Sequence, residues 1–411
     1  MFMLRRKLNS VILLLLVFSL FTCIDPYTPH LSGYESVLVV EGLITNENIA
    51  SEIKLSRSVE SKDSVPERVT DAVVKINDEL GNVTILNNCG EGSYKTDPAT
   101  FIGEIGKTYT LHISTIDGRE YVSEPSQMLS VPDIDTVYYE RDEIFTNNRT
   151  ETQVGIRFYV NPGVKDDDGS YFRWEMVETW KFRLPSPKRY SYFNESLIVA
   201  LDTVKEYCWK SGNSDDIFIN SVLPGHSGII LKEPLLFIAS NKSDRLVIRY
   251  SILIKQYSIS RKEYDFWNNL KKINETGGNI FDTQPWAVES NVTNVDDPSE
   301  KILGYFKVSA VKQKRIYISP NDLTKLDIPF FTYDCQQVAM APSDYPRTSV
   351  MTEPLTWDGL VDMFASERKY VFVEPVYNPS TRELLKLVFA KRECSDCELT
   401  GTSRKPYFWT D

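Results

Sequence analysis

The sequence predicts a mainly β chain: an N-terminal immunoglobulin-like or transthyretin-like β-sandwich, then a larger β-rich domain with one inserted helix. Three observations lead there. Val, Ile, Thr and Tyr recur in short runs that alternate apolar and polar positions, the period of a half-buried strand. Gly, Asn, Asp and Pro fall between those runs as turn signals. One stretch alone combines a strong helix start with extended helical spacing.

The sandwich is expected over residues 35–132. Its runs are Ser36 to Ile44, Glu52 to Ser56, Ala72 to Asn77, Asn82 to Leu86 and Gly92 to Thr96. The clearest hairpin joins Lys107 to Ser114 with Arg119 to Ser123 through Asp117-Gly118, a pair suited to a type I′ turn. Pro132 ends the unit, because it biases its predecessor to extended chain and cannot serve a central strand. The second domain, 133–411, carries strands at Thr152 to Val160, Tyr171 to Phe182, Gly228 to Leu231, Leu235 to Ala239, Arg245 to Ile254, Ile302 to Ala310, Arg315 to Ser319, Lys369 to Val376 and Leu385 to Phe389. Its helix is expected near 261–276. Ser260 and Glu263 form a capping box, Tyr264, Trp267, Leu270 and Lys271 share a face, and Gly277-Gly278 supplies the stop. Trp357 to Phe364 reads as a second, short helix.

The first 34 residues have another purpose. Arg5, Arg6 and Lys7 precede an apolar run from Val11 to Phe21, followed by Thr22-Cys23. A charged start, a short apolar core and a small residue before the cut describe a secretory signal over 1–22. About a dozen residues cannot span roughly 30 Å of hydrocarbon as a helix. With Leu20 three positions ahead of Cys23, the expectation is a lipidated Cys23 and a tether over 23–34, each buried CH₂ of the lipid adding about 0.8 kcal/mol of membrane affinity. Asp25 is a short version of an acidic signal for export to the cell surface.

Charge and cysteines narrow the class. The chain has 46 basic and 57 acidic residues, a net charge of −11. Removing Arg5, Arg6 and Lys7 leaves it near −14, a surface that repels nucleic acid. Cys89, Cys208, Cys335, Cys394 and Cys397 follow the lipidation cysteine. An exported chain favours cystines. Five is odd, and Cys89 stands alone in the first domain, which leaves Cys208, Cys335, Cys394 and Cys397 as disulfide candidates with three connectivities open.

Three groups of residues resemble one family. They are Val40 to Thr45; Gly278 to Asp282 leading through Asn294 to Pro298 into Leu303-Gly304-Tyr305-Phe306; and Cys394-Ser395-Asp396-Cys397, Gly401-Thr402 and Lys405 to Trp409, together with Cys208-Trp209. In order and spacing they resemble the Bacteroidetes lipoproteins called domain of unknown function 4249. That family has no established activity. The resemblance implies, by association with neighbouring transporters, an accessory role beside an outer-membrane TonB-dependent barrel.

Motifs for chemistry are sparse. Cys394-x-x-Cys397 reads first as part of a cystine framework pinning the tail; a zinc site with Cys208 and Cys335, or a redox pair, is the weaker reading because neither the paired knuckles nor a helix start is present. Asp166-Asp167-Asp168-Gly169 and Asp296-Asp297-Pro298 read as turns ahead of calcium loops, lacking the spacing and distal Glu of an EF-hand. Nothing resembles an HExxH helix, a GxSxG elbow or a phosphate loop, and no cofactor or metal is expected. The segment Arg183 to Phe193 is a candidate partner surface, with Arg189, Tyr190, Tyr192 and Phe193 as its anchors, against the plainer reading of a loop covering a sheet edge. Two functions remain in view: a non-catalytic accessory subunit anchored to the outer membrane, and a carbohydrate- or peptide-processing enzyme with acidic residues in the second domain.

Overall fold

A computed structural model describes residues 36–59, 64–146, 151–163, 170–222, 232–276, 288–344, 355–366 and 369–410. The predicted signal 1–22, Cys23, the tether 23–34, the stop at Gly277-Gly278, the Gly228–Leu231 run and Asp166 to Gly169 lie outside them.

The chain is mainly β. Its first unit packs two sheets face to face. One contains β1 (Leu38–Ile44), β2 (Glu52–Arg57), β5 (Asn87–Asn88), β6 (Ser93–Lys95) and β20 (Leu303–Val308), in the order β20-β1-β2-β6-β5. The other contains β3 (Val73–Asp78), β4 (Val83–Ile85), β7 (Thr108–Ser114), β8 (Glu120–Ser123) and β19 (Val292–Asn294), in the order β19-β8-β7-β3-β4, with β9 (Ser126–Gln127) also paired to β7. Alternation places Leu38, Val40, Ile53, Leu55, Val74, Ile76, Leu111 and Ile113 in one core. The hairpin Thr108–Ser123 forms with the register Ile113 opposite Tyr121. Its turn is not type I′. Gly118 alone has positive φ (84°), its N–H donates to Thr115 O, and Thr115 N–H donates to Arg119 O. The loop is one residue longer than a type I′ turn requires, so it closes through a glycine bulge.

A sandwich confined to 35–132 is also corrected. β20 pairs in parallel with β1, Val40 opposite Gly304, and β19 pairs with β8, Thr293 opposite Val122. Phe306 and Val308 complete the first core. Gly304 has φ +86°, and a Cβ there would lie 2.1 Å from Val40 O, so only glycine lets the two backbones meet in this way. The other face of β20 packs on α1 (Arg261–Thr276), where the Tyr305 ring lies tilted against Phe266 at 4.8 Å.

The second unit is two more packed sheets. β10 (Thr136–Phe145), β11 (Thr152–Asn161) and β17 (Glu233–Ala239) form a three-stranded sheet. β15 (Tyr207–Asn213), β12 (Ser170–Arg183), β18 (Arg249–Ile259) and β21 (Val311–Ile318) form the other in that order, and β16 (Phe218–Val222) pairs with the start of β12. Phe158, Phe172, Trp174, Tyr250 and Ile252 fill the space between them. The strand expected from Arg245 begins instead at Arg249, because Asp244–Leu246 form a 3₁₀ turn whose Asp244 carboxylate accepts from Trp180 Nε1 at 2.9 Å.

A third, smaller unit follows. β22 (Gln337–Met340), β24 (Leu384–Lys391) and β23 (Tyr370–Tyr377) form a three-stranded sheet. α2 (Pro320–Leu323) leads towards it, and α3 (Trp357–Ser366) covers it, with Phe364 stacked on Phe389 at 4.2 Å. The hairpin of β13 (Tyr190–Asn194) and β14 (Leu197–Ala200) lies on the same core.

Candidate functional site

The residues picked out by sequence for partner binding fall in the β13–β14 hairpin, and strand alternation divides them. Tyr190, Tyr192 and Ile198 point inward and pack against the core of Leu360, Phe372, Leu387 and Phe389. Tyr192 sits edge-on to Phe372 at 5.7 Å, and its hydroxyl donates to Asp358 Oδ1 at 2.5 Å. Burial, then the Asp358 carboxylate, drives that phenol well above its ordinary value. Arg189 donates to Glu206 Oε1 at 2.8 Å, and its backbone N–H donates to Val373 O at 3.1 Å, which ties the hairpin to β23. Tyr190 and Tyr192 are therefore internal fasteners rather than exposed anchors, and Arg189, half exposed, is tied down by Glu206. Phe193 is 65% exposed, as expected for an anchor, and Leu197 and Val199 join it at 49% and 45%. These last two were missed by sequence reading, although the period of two that runs through Tyr190 to Phe193 carries the signal.

Disulfides secure the neighbourhood. Cys208 is bonded to Cys397 and Cys335 to Cys394, while Cys89 is a free, exposed thiol. Around the first bond the tail threads back: Trp209 and Thr402 exchange both backbone hydrogen bonds at 2.8 Å. A Cβ at Gly401 would lie 2.5 Å from Trp209 O, which is why a glycine precedes Thr402 there. Trp409 closes edge-on over Trp209 at 6.4 Å.

A second concentration of polar groups lies where the first two units meet. Arg173 on β12 is 4% exposed. Its guanidinium lies between the rings of Tyr257 (4.5 Å) and Trp267 (4.9 Å) and donates from Nη1 to Glu175 at 2.5 Å. The Glu263 carboxylate accepts from Trp267 Nε1 at 3.2 Å and lies 4.0 Å from Arg173 Nε. Ser260 caps α1 as expected, its hydroxyl accepting from Glu263 N–H at 3.1 Å. Lys307 from β20 completes the group, 5.4 Å over Trp267. Burial raises the Glu263 carboxyl, with Arg173 opposing it, and burial lowers the Lys307 ammonium, with Arg173 adding to the effect. Glu175 is held low: burial pushes it up, but Arg173, the Tyr257 hydroxyl and Lys307 together outweigh that. These charges join three elements from two units, and the Tyr257 ring of β18 adds a fourth, so the cluster acts as a lock.

Of the second-domain acids, Glu175, Asp215 and Asp216 line one cavity of about 400 Å³, with Arg173 and Lys255 beside them. Glu178 is 2% exposed, accepts from Tyr250 Oη at 2.7 Å and lies 3.4 Å from Arg245 Nε. Burial raises its carboxyl, but it faces Tyr250 and not a surface a substrate could reach. Asp297 does form a turn: its Oδ1 accepts from Ser299 N–H at 3.0 Å and from Ser299 Oγ at 2.5 Å, and Asn294 Oδ1 receives Asp296 N–H at 2.9 Å. Among the described residues, no group of three or more His, Cys, Asp or Glu side chains could hold a metal ion.

No curated protein matches the chain. The family model described as Domain of unknown function (DUF4249) matches residues 24–315, which takes in the sandwich, its two returning strands and most of the second unit. The match ends within β21, so the tail group Cys394 to Trp409, read from sequence as part of the resemblance, lies beyond it. With more than half of its length matched, the chain belongs to this family.

Proposed function

We propose that the protein is an envelope lipoprotein, anchored to the outer membrane through Cys23, that serves as a non-catalytic accessory subunit of a TonB-dependent transporter or a similar complex. The observation that supports docking is the outward face of the β13–β14 hairpin. Phe193, Leu197 and Val199 stand exposed on a ribbon whose other face is fully employed in a core. A two-stranded ribbon is marginal by itself, yet this one is held by Arg189 and Tyr192 and so presents its apolar face without an ordering cost on binding. Apolar side chains grouped on a pre-ordered surface are what a partner interface requires.

The test is purification of the tagged protein from detergent-solubilised outer membranes, followed by mass spectrometry. A stoichiometric barrel should accompany the natural chain and be lost from the triple variant Phe193→Ser, Leu197→Ser, Val199→Ser. The three side chains are exposed, so the variant should keep its melting temperature. A barrel that still accompanies the folded variant would sink the docking face, and a preparation with no partner would sink the accessory role.

A further inference from the structure

A cavity of about 470 Å³ opens where the hairpin approaches, β23 and the disulfide-held tail meet. We propose that it binds a singly charged carboxylate attached to an apolar group. Charge comes first. Lys188, Lys205 and Arg392 line it against one carboxylate, Asp396. In three other cavities, of about 1130, 360 and 400 Å³, carboxylates outnumber cations. A locally positive lining on a chain of net charge −11 runs against the composition and concentrates anions at that point.

The count of partners limits the ligand to one negative charge. Lys205 Nζ is 3.3 Å from Glu398 and Arg392 Nη2 is 3.6 Å from Asp396, so two cations already have counter-ions. Lys188 is exposed and has no ion-pair partner among the described residues. One uncompensated cation suits a carboxylate better than a polyanion. An independent feature points to a ligand. Ser395 is 6% exposed, lines the cavity, and its Oγ has no hydrogen-bond partner in the protein. A buried hydroxyl left unpaired is costly, and an acceptor held in the cavity beside Ser395 is the partner it lacks. Most of the remaining wall is apolar, with Leu184, Leu201, Val371 and the ring of Tyr370, beside Thr203. A cavity of this size with an apolar wall and a few converging polar groups is the usual form of a small-molecule site.

The ligand is thus a carboxylate beside an aliphatic or aromatic group, and two sources share that chemistry: a free acid, or the C-terminal residue of a peptide. The cavity does not use the outward face of the hairpin, so the inference stands apart from docking on a barrel.

Calorimetric titration of the full chain decides it. The probes are N-acetyl-leucine, its amide, a pentapeptide ending in leucine with a free carboxylate, the same peptide amidated, and inorganic phosphate. At least one acid should bind, and its amide should bind about tenfold more weakly or not at all. Lys188→Glu, an exposed change that should leave the melt intact, should weaken the acid by about tenfold or more, and Ser395→Ala by a few-fold. A peptide acid binding tighter than N-acetyl-leucine assigns a chain end; equal or weaker binding assigns a free acid. The proposal is overturned if neither acid binds up to about 10 mM, if the amides bind as well as the acids, if phosphate binds as tightly as either acid, or if folded Lys188→Glu binds unchanged.

Discussion

Removing the Cys208–Cys397 bond should cost more than removing Cys335–Cys394, and the difference can be worked from how the two loops nest. The outer bond closes 189 residues and the inner one 59, wholly inside it. In the chain-entropy description each bond restricts the unfolded chain by about 2.1 + 1.5R ln n cal/mol/K. Taken singly, the outer bond is worth about 5.3 kcal/mol at 25 °C and the inner about 4.3. Nesting changes both. With the inner bond closed, the path between residues 208 and 397 shortens to about 130 residues, and the outer bond is worth about 4.9 kcal/mol. With the outer closed, the inner bond divides an existing ring, its effective loop falls to about 40 residues, and its worth drops to about 3.9 kcal/mol. Either order of closure gives about 9.2 kcal/mol in all.

The variant Cys208→Ala, Cys397→Ala should therefore lose about 5 kcal/mol of chain entropy, plus about 1 kcal/mol for each buried sulfur removed from contact with Phe182 and Leu184. The assay is urea unfolding without reductant, followed by tryptophan fluorescence. Trp209 and Trp409 report on this region, since their rings meet beside the bond. All variants should carry Cys89→Ser, because that exposed thiol could attack either cystine. A loss below about 2 kcal/mol would refute the loop argument, and so would an inner-bond variant that loses more than the outer.

Two other outcomes are expected. Gly304→Ala should lose more than about 2 kcal/mol, since the new Cβ meets Val40 O and an L-residue at positive φ adds about 1–2 kcal/mol; protease cleavage near residues 288–302 should rise with it, and an unchanged melting temperature would contradict the β1–β20 pairing. Glu178→Gln should flatten the pH dependence of stability. Burial raises the folded carboxyl, so the folded state holds the extra proton, and natural stability falls as pH rises from the unfolded value through the folded one. The Gln variant still accepts from Tyr250 Oη and escapes that fall, so its melting temperature relative to the natural chain should climb from pH 4.5 to 7.5 and not stay level.

What the sequence revealed and what it hid separate along one physical line. Contacts set by local pattern were legible: the strand alternation of β1, β3 and β7, the Ser260 cap of α1, the span of α3 from Trp357, and Cys89 as the odd thiol. Contacts set by distant partners were not. A strand with Phe306 and Val308 on one side and Tyr305 and Lys307 on the other reads simply as a strand of the second domain, and nothing in its period says that Val40 lies beside Gly304. Likewise Tyr190 and Tyr192 look like exposed anchors until Phe372 and Asp358 supply their partners. The misread strand is also the joint. β20 gives Phe306 to the sandwich core, sets Tyr305 on Phe266 of α1, and brings Lys307 to the ring of Trp267, on which Arg173 of β12 also lies. Burial, and Arg173 beside it, lower the Lys307 ammonium, so its charged form is disfavoured at that joint although Glu263 and Glu175 oppose the effect. A strand that pairs across about 260 residues of sequence thus fastens the sandwich and the second unit together, and separating those two units has to break it first.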